Sequence, residues 1–585
     1  MDVRNAPVVA RSDADEARAG VPPRRIAGAA WVAIAALSLV ARLGFTPGPA
    51  WAERLLLLDL TLVGAMILDL LWALIYPREA SILTRIRGRW FDWTLLVIGT
   101  ATILAGPSAS IDEPLLAEMR QSGFGSLLEA VVVTALLLLV IQRLLRAQEW
   151  VLAFGLPPVL LLAVSFLALI GIGTLLLLVP RAAADPALRL SPIEALFTAT
   201  SAVCVTGLSV FDVGSRLSLG GEAVLLVLIQ LGGLGIVTFV VTLSVVAGRD
   251  LSVPQLQTLK EMVNASALAD VRRQIRDVAA VAFVVELIGA ALLFSLWPHD
   301  EDSGLLHRAW TSLFHAVSAF CNAGFSLSWG GIDFAQERPL ATLVVTLLIF
   351  IGGLGFPVLR ELVRRPRKRG GGMSLQTRLV LGVSAVLILS GALLFWLIEG
   401  GSPVIALFES VSARTAGFTA VPIAELHDAT LVLLVLLMAV GAGPISTGGG
   451  IKTVTLGVLL FTVRAMLRGR DRVEVGARTL PAQAVQAALS VFVLYVLAAI
   501  TITFALALLA PEFELHDLAF EGVSALSTVG LSTGITPGLG NGALLVLCAA
   551  MFVGRVGPLT LAMVIFGRRR ATTDYDYPEE DVIIG

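Results

Sequence analysis

Apolar residues run along this chain in stretches long enough to cross a bilayer, recurring from residue 27 to residue 566 with polar residues mostly in the gaps. The first four runs lie near 27–45, 53–76, 91–106 and 125–146. Beyond them one order recurs four times: a long apolar helix, a short mixed segment ending in glycine, then a second long apolar helix. The first helices are predicted near 151–180, 276–297, 376–399 and 481–510, and the second near 222–247, 339–363, 429–465 and 541–566. The segments between, about ten to twelve residues each, are too short to cross a hydrocarbon core about 30 Å thick, so each is predicted to dip in and return.

The short segments share a pattern. They read Phe197-Thr-Ala-Thr-Ser-Ala-Val-Cys-Val-Thr-Gly207, Phe314-His-Ala-Val-Ser-Ala-Phe-Cys-Asn-Ala-Gly324, Phe408-Glu-Ser-Val-Ser-Ala-Arg-Thr-Ala-Gly417 and Phe520-Glu-Gly-Val-Ser-Ala-Leu-Ser-Thr-Val-Gly530. Each has Phe, then Ser-Ala four residues on, then a glycine followed by Leu or Phe; the third is one residue shorter between Ser and Gly. Four copies in register imply four parts around one axis, and an axis through a bilayer is a pore.

Composition narrows the class. Apolar residues make up 57% and charged residues 15%, and the mean hydropathy is +0.88, which is a polytopic helical membrane protein rather than a soluble domain. A net charge of −2 offers no electrostatic support for a nucleic-acid partner. Residues 1–26 are polar and mixed in charge, and read as a disordered cytoplasmic tail rather than a signal peptide. Basic clusters at Arg24-Arg25, Arg78 to Arg89, Arg143 and Arg146, Arg272 to Arg276, Arg364 to Arg369, Arg468 to Arg472 and Arg568 to Arg570 fall on one face if twelve helices cross and four segments dip in. The positive-inside rule makes that face cytoplasmic, with both termini there and the short segments entering from outside a plasma (inner) membrane. The odd cysteine count (Cys204, Cys321 and Cys548) makes no metal pattern.

The glycines carry the chemistry. A dehydrated cation needs oxygen ligands to replace its water, and rings of backbone carbonyls supply them without fixed charge. Turning carbonyls toward one axis takes backbone angles that glycine adopts most cheaply, and short helices would aim the negative ends of their dipoles at the ion. Thr206, Asn322, Thr415 and Thr528 are small polar neighbours suited to lining such a site. The bland alternative, ordinary glycine turns, suits one copy better than four. The second helices repeat Leu231-Gly-Gly-Leu-Gly235, Ile351-Gly-Gly-Leu-Gly355 and Val553-Gly-Arg-Val-Gly557, spacings that let helices approach closely. The third set departs with Gly443-Pro-Ile-Ser-Thr-Gly-Gly-Gly450-Ile-Lys452, which should break its helix. Such backbone is tolerated at membrane depth only where it is buried in protein or lines water, so this loop is expected across the conduction path.

Val205-Thr-Gly-Leu208, Cys321-Asn-Ala-Gly-Phe325, Arg414-Thr-Ala-Gly-Phe418 and Ser527-Thr-Val-Gly-Leu531 resemble the four filter sequences of the Trk/Ktr/HKT superfamily of potassium transporters. Pro444 to Thr453 is similar to that superfamily's intramembrane gating loop, Gly554 to Thr560 to the last pore-lining helix of its Ktr branch, and Tyr577 to Gly585 to Ktr-type tails. The resemblance covers about residues 150 to 585. It implies an all-α polytopic membrane protein with four pseudo-symmetric M1–P–M2 repeats around a central pore, here preceded by four extra transmembrane helices. The divisions are a tail at 1–26, an N-terminal membrane region at 27–150, pore repeats at 151–250, 251–370, 371–475 and 476–570, and a cytoplasmic tail at 571–585. It implies a K+ filter at Val205, Thr206, Gly207, Asn322, Ala323, Gly324, Thr415, Ala416, Gly417, Thr528, Val529 and Gly530, and a gate at Gly448, Gly449, Gly450, Lys452 and Arg555. In that superfamily Ser at the first filter position accompanies Na+ transport and Gly accompanies K+ selectivity; all four here are Gly. A homodimer on a cytoplasmic ring of separate nucleotide-binding RCK subunits is implied too. The chain itself shows no Gly-x-Gly-x-x-Gly after a strand, and no resident cofactor is expected.

Further residues bear on mechanism. Asp59, Asp69 and Asp92 with Arg143 and Arg146 make a voltage-sensing bundle conceivable, but only two arginines occur and both are late, so a scaffold or dimer-facing bundle is the expectation. Arg555 is expected to face a cavity rather than a structural partner. His315 stands where Glu409 and Glu521 stand in their copies, with Thr198 in the first, and is read as structural. Passive, gated K+ uptake driven by membrane potential competes with H+- or Na+-coupled symport and with a Na+-permeable pore. A symporter needs an acid relay, and Glu286 is the one mid-helix carboxylate seen in the repeats. An enzyme is not expected: the chain has five histidines, no His-Glu-x-x-His and no paired acids in its spans.

Overall fold

The computed structural model describes residues 158–185, 188–235, 268–296, 304–328, 337–364, 373–470, 472–476 and 478–559, with isolated positions besides. The four N-terminal segments with Asp59, Asp69, Asp92, Arg143 and Arg146 lie outside the described residues, as do both tails and the arginines at 568–570. Residues 156–178, 182–239 and 257–585 form one compact unit; residues 1–155, 179–181 and 240–256 form another.

The larger unit is helical. Its elements are α1 (Pro158–Leu177), α2 (Pro192–Cys204), α3 (Val213–Arg216), α4 (Leu219–Leu234), α5 (Leu268–Leu296), α6 (Leu305–Cys321), α7 (Pro339–Leu354) and α8 (Phe356–Arg364). They continue with α9 (Leu375–Glu399), α10 (Pro403–Ser412), α11 (Asp428–Ala439), α12 (Thr453–Leu467), α13 (Ala482–Leu509), α14 (Leu515–Ser527) and α15 (Asn541–Val556). The only strands among the described residues are a small hairpin of Glu474–Val475 with Arg478–Thr479. Local chemistry sets several starts. Ser191 and Glu194 cap α2 reciprocally ahead of Pro192, and Pro339 and Pro403 open α7 and α10, where a missing N–H costs nothing.

Helix packing runs in a closed cycle. Within each three-helix set the long helix packs on the short one, as α1 on α2, α5 on α6, α9 on α10 and α13 on α14. Between sets, α4 packs on α6, α7 on α10, α11 on α14, and α15 returns to α2. The first Phe of every copy anchors this arrangement: Phe197, Phe314, Phe408 and Phe520 are all fully buried, as are Leu208, Phe325, Phe418 and Leu531 after the glycines. Outward faces stay apolar, with Leu167, Leu389, Ile500 and Phe504 exposed, as lipid contact requires.

The second helices depart from the continuous spans expected. Backbone φ turns positive at Gly235 (77°), Gly355 (90°) and Gly557 (95°), ending α4, α7 and α15 after 16 residues each. At 1.5 Å per residue that is about 24 Å, short of a full crossing. Where the chain is described beyond such a break, α7 and α8 meet at 103°. In the third set α11 stops at Ala439 and α12 resumes at Thr453, with a glycine-rich loop between. Among the described residues, Asp277–Leu296, Leu375–Glu399 and Ala482–Leu509 are each long and apolar enough to cross. The short segments run 13, 17, 10 and 13 residues as helices, longer in three cases than expected.

The repeated spacing of small residues in the second helices has a steric cause. A Cβ at Gly232, Gly352 or Gly554 would overlap the carbonyl oxygen of Val203, Phe320 or Leu526 respectively, each four residues before a pattern glycine. Backbone meets backbone there, so a side chain forces the sets apart. Gly554→Val is expected to destabilise the fold by about 1–3 kcal/mol, seen as a lowered melting temperature in detergent. Gly382→Ala, whose new Cβ would meet nothing within 4 Å, should leave it nearly unchanged.

Candidate functional site

The four pattern glycines form a ring. Each is held at positive φ: Gly207 at 97°, Gly324 at 69°, Gly417 at 78° and Gly530 at 100°. A Cβ on Gly207 would meet Ala323 O at 2.5 Å, and one on Gly324 would meet Ala416 O at 2.5 Å. One on Gly417 would overlap Val529 O, and one on Gly530 would overlap Thr206 O, which returns to the start. The carbonyls of Thr206, Ala323, Ala416 and Val529 therefore stand between successive glycines, and no side chain fits at any of the four.

The segments reach this shape through a second left-handed residue two positions earlier. Val205 (58°), Asn322 (58°), Thr415 (81°) and Thr528 (51°) all have positive φ, unfavourable for β-branched residues and tolerated only where the surroundings hold it. The pattern serine is one such hold. Ser201 and Ser524 accept hydrogen bonds from Gly207 N (3.0 Å) and Gly530 N (3.1 Å). Ser318 donates to Phe325 O at 2.8 Å, and Ser412 donates to Phe418 O. The third copy absorbs its missing residue by ending α10 at Ser412 in a right-handed Ala413, where the others pass straight to a left-handed cap.

In the last three copies the residue after Phe reaches past the glycine. His315 Nε2 pairs with Ser326 Oγ at 3.1 Å and its Nδ1 with Thr311 O at 2.8 Å, so both ring nitrogens serve structure. Glu409 accepts from Ala420 N (2.7 Å) and Thr419 Oγ1 (3.2 Å), and Glu521 accepts from Ser532 and from Thr536 Oγ1 (2.9 Å). Three copies thus brace the outgoing segment with different chemistry.

Behind the ring, the side chain three residues before three of the four glycines meets a polar residue from another helix. Tyr495 of α13 hydrogen-bonds Ser527 at 2.6 Å. Arg414 donates to Ser384 Oγ of α9 (3.2 Å) and to Gly441 O (3.0 Å). Cys321 Sγ lies 3.6 Å from Gln230 Oε1 and 3.9 Å from Glu286 Oε1, while Gln230 donates to both Glu286 oxygens at 3.0 and 3.2 Å. Glu286, buried and partnered in this way, belongs to the support of the ring rather than to its lining.

On the side of the residues preceding the glycines, the loop from Gly441 to Lys452 lies against the second, third and fourth sets. Gly443 N donates to Gly353 O at 2.8 Å, and Phe356 N to Ile445 O at 3.0 Å. Thr447 Oγ1 reaches Phe320 O at 3.5 Å. Gly448 and Gly449 press so closely on the hydroxyls of Thr415 and Thr528 that no Cβ fits at either. Lys452 Nζ binds the loop's own carbonyls, Gly448 O at 2.6 Å and Gly449 O at 3.3 Å. Arg555 was expected to face a cavity; instead it donates to Thr447 O and Gly232 O, tying the loop to α15 and α4. On the opposite side, all four glycines floor an open bowl of about 370 Å³ walled by Ser209, Ser326, Ser328, Thr419 and Ser532.

The structure thus brings together every site residue named from sequence, around one ring and one loop. Arg414, Ser384, Gln230 and Tyr495 were missed as site residues. Their positions three before a glycine, or in a long helix facing it, gain meaning only from contact.

A family model described as TrkH, a cation transport protein, matches residues 156–567. The Ktr system potassium uptake protein B of Vibrio alginolyticus is 35% identical over 443 residues, covering 74% of this chain and 95% of that protein. The potassium/sodium uptake protein NtpJ of Enterococcus hirae is 34% identical over 445 residues, covering 74% and 98%. The crystal structure of the potassium transporter TrkH from Vibrio parahaemolyticus shares the fold, with a TM-score of 0.57 at 16% identity over 90% of this chain and 98% of that one.

Lys452 holds two loop carbonyls through a charged donor, an interaction worth about 1.5–3 kcal/mol per bond. Lys452→Met is expected to lower hydrogen-exchange protection of amides 447–451 by about tenfold or more, read by mass spectrometry on the detergent-solubilised chain, while peptides from α13 keep theirs.

Proposed function

The chain belongs to the TrkH family of cation transport proteins, and from that premise we propose that it takes up K+ through a gated, channel-like pore driven by membrane potential. Its relatives are transporters, and its apolar helices make it a multi-pass membrane protein. In this reading the four sets are M1–P–M2 repeats around one pore, with α2, α6, α10 and α14 as pore helices. The observation that carries it is the closed ring of Gly207, Gly324, Gly417 and Gly530 with four carbonyls between them.

The chemistry follows from that ring. A cation leaving the bowl exchanges its water for carbonyl oxygens of residues 205–207, 322–324, 415–417 and 528–530, while the C-terminal ends of four pore helices add negative potential. The membrane potential supplies about 2.3 kcal/mol per charge per 100 mV, enough to drive accumulation without a coupled ion. The loop at Gly448 to Gly450 is the gate, held shut by Lys452 within itself and by Arg555 across α4 and α15. Opening requires those carbonyl bonds to be exchanged for others. Glu286 sits behind the ring and lines neither the bowl nor the loop, which supports a channel over a proton-coupled carrier. The Vibrio alginolyticus relative is named as part of a Ktr system, which supports a separate partner subunit here; in this reading that subunit is of the RCK type and the chain is a homodimer. Basic clusters support a plasma-membrane orientation with cytoplasmic termini.

A Na+-permeable pore is the second reading, favoured by the potassium/sodium name of one relative. Glycine in all four ring positions favours K+. Two results test the choice. Proteoliposomes holding the full chain under an inside-negative potential should take up Rb+ well ahead of Na+, without a proton or sodium gradient. Gly417→Ser should reduce that preference about tenfold or more, equivalent to about 1.4 kcal/mol. Equal Rb+ and Na+ uptake by the unaltered chain contradicts K+ selectivity, and uptake that needs an added ion gradient contradicts the passive pore.

A further inference from the structure

Among the described residues that line the bowl, Asp212 is the charged one. Its Oδ1 is buried and has no hydrogen-bond partner. It stands at the N-cap of α3, yet its side chain makes no cap hydrogen bond. A carboxylate oxygen withdrawn from water without a donor is costly unless a cation approaches it. Arg216, one turn along α3, is not among the residues lining the bowl and makes no ion pair with Asp212. The positions five residues beyond the other ring glycines are Trp329, Pro422 and Ile535, none of them charged.

The segment that carries this acid is fixed. Val213 next to it and Leu217 at the end of α3 are buried. Ala184 N donates to Arg216 O and Ser218 N to Ala182 O, each at 2.9 Å, pinning the end of α3. Gly214 sits so close to Leu327 O of the next set that a Cβ would overlap it. Asp212 is therefore a stationary negative charge on the wall of a bowl whose floor is the ring, and the remaining wall is hydroxyl and apolar.

Resting on the pore reading above, we propose that Asp212 is a cation-recruiting residue, which draws hydrated alkali cations into the bowl and sets the apparent affinity for capture without choosing among them. A single fixed charge raises the local concentration of counter-ions in a cleft, and the effect fades as salt shortens the Debye length from about 30 Å at 0.01 M to about 3 Å at 1 M. Selection stays with the carbonyl ring below, which Asp212 does not join.

The test is Rb+ uptake by proteoliposomes of the unaltered chain, Asp212→Asn and Asp212→Glu, at about 0.01 M and about 0.5 M ionic strength set with an impermeant organic salt. At low ionic strength Asp212→Asn should raise the apparent KM for Rb+ about three- to tenfold with the maximal rate changed less than twofold. Asp212→Glu should stay near the unaltered chain, the difference should close at high ionic strength, and the Rb+ over Na+ preference should hold. An unchanged KM in Asp212→Asn overturns the proposal. So does a loss that is indifferent to salt and is not restored by Glu, which is the mark of packing. Absence of alkali-cation uptake by the unaltered chain contradicts the pore reading itself.

Discussion

A glycine Cα set against the carbonyl oxygen of a neighbouring segment is a contact that constrains both partners, and here it recurs until it meets itself. Gly207 rests on Ala323, Gly324 on Ala416, Gly417 on Val529 and Gly530 on Thr206. Moving one segment outward opens two contacts, and adding one methyl group anywhere collides with backbone. The same direction of turn governs the helices, since each second helix packs on the short helix of the following set. Much else serves to hold four strained turns in place. Serines tie the glycines, the His315, Glu409 and Glu521 positions brace the segments beyond, and the side chain three residues before each of three glycines is met from another helix.

Symmetry ends below the ring. Three of the second helices finish on Gly-x-x-Gly turns, whereas the third opens into a loop whose backbone fills the space beneath. That loop carries a left-handed Ile445 at 53°, a conformation costly for a β-branched residue. Its backbone is tied through Gly353, Phe356, Lys452 and Arg555, and Thr447 Oγ1 reaches Phe320 O, while Ser446 Oγ is buried without a partner. Buried backbone of this kind survives at membrane depth because protein supplies its hydrogen-bond partners. On the proposed gating, opening would replace several of these hydrogen bonds together, which would make the loop a switch with few intermediate positions.

Much of this was legible in the sequence because the ring demands residues that are easy to see. Nothing but glycine fits at four places, so Phe, Ser-Ala and Gly recur at nearly constant spacing. The helix breaks were hidden for the opposite reason. Leu354-Gly-Phe-Pro-Val-Leu359 stays apolar through the turn, and hydropathy reads one span where the backbone bends by 103°. Arg414, Ser384 and Tyr495 were hidden because each copy solves the same support problem with different side chains, leaving no shared letter. Arg555 was visible as a charge in an apolar helix, but its partners are carbonyls 108 and 323 residues away, which no local pattern reveals.

The central claim is that the four glycine segments together bind a dehydrated alkali cation. Anomalous diffraction from crystals of the full chain grown in RbCl tests it most directly. A Rb+ peak on the axis, enclosed by the carbonyls of Thr206, Ala323, Ala416 and Val529 and weakened in crystals grown in NaCl with trace Rb+ of the Gly417→Ser variant, is the predicted result. An axis without density at that level, with Rb+ held elsewhere in the protein, would contradict the account.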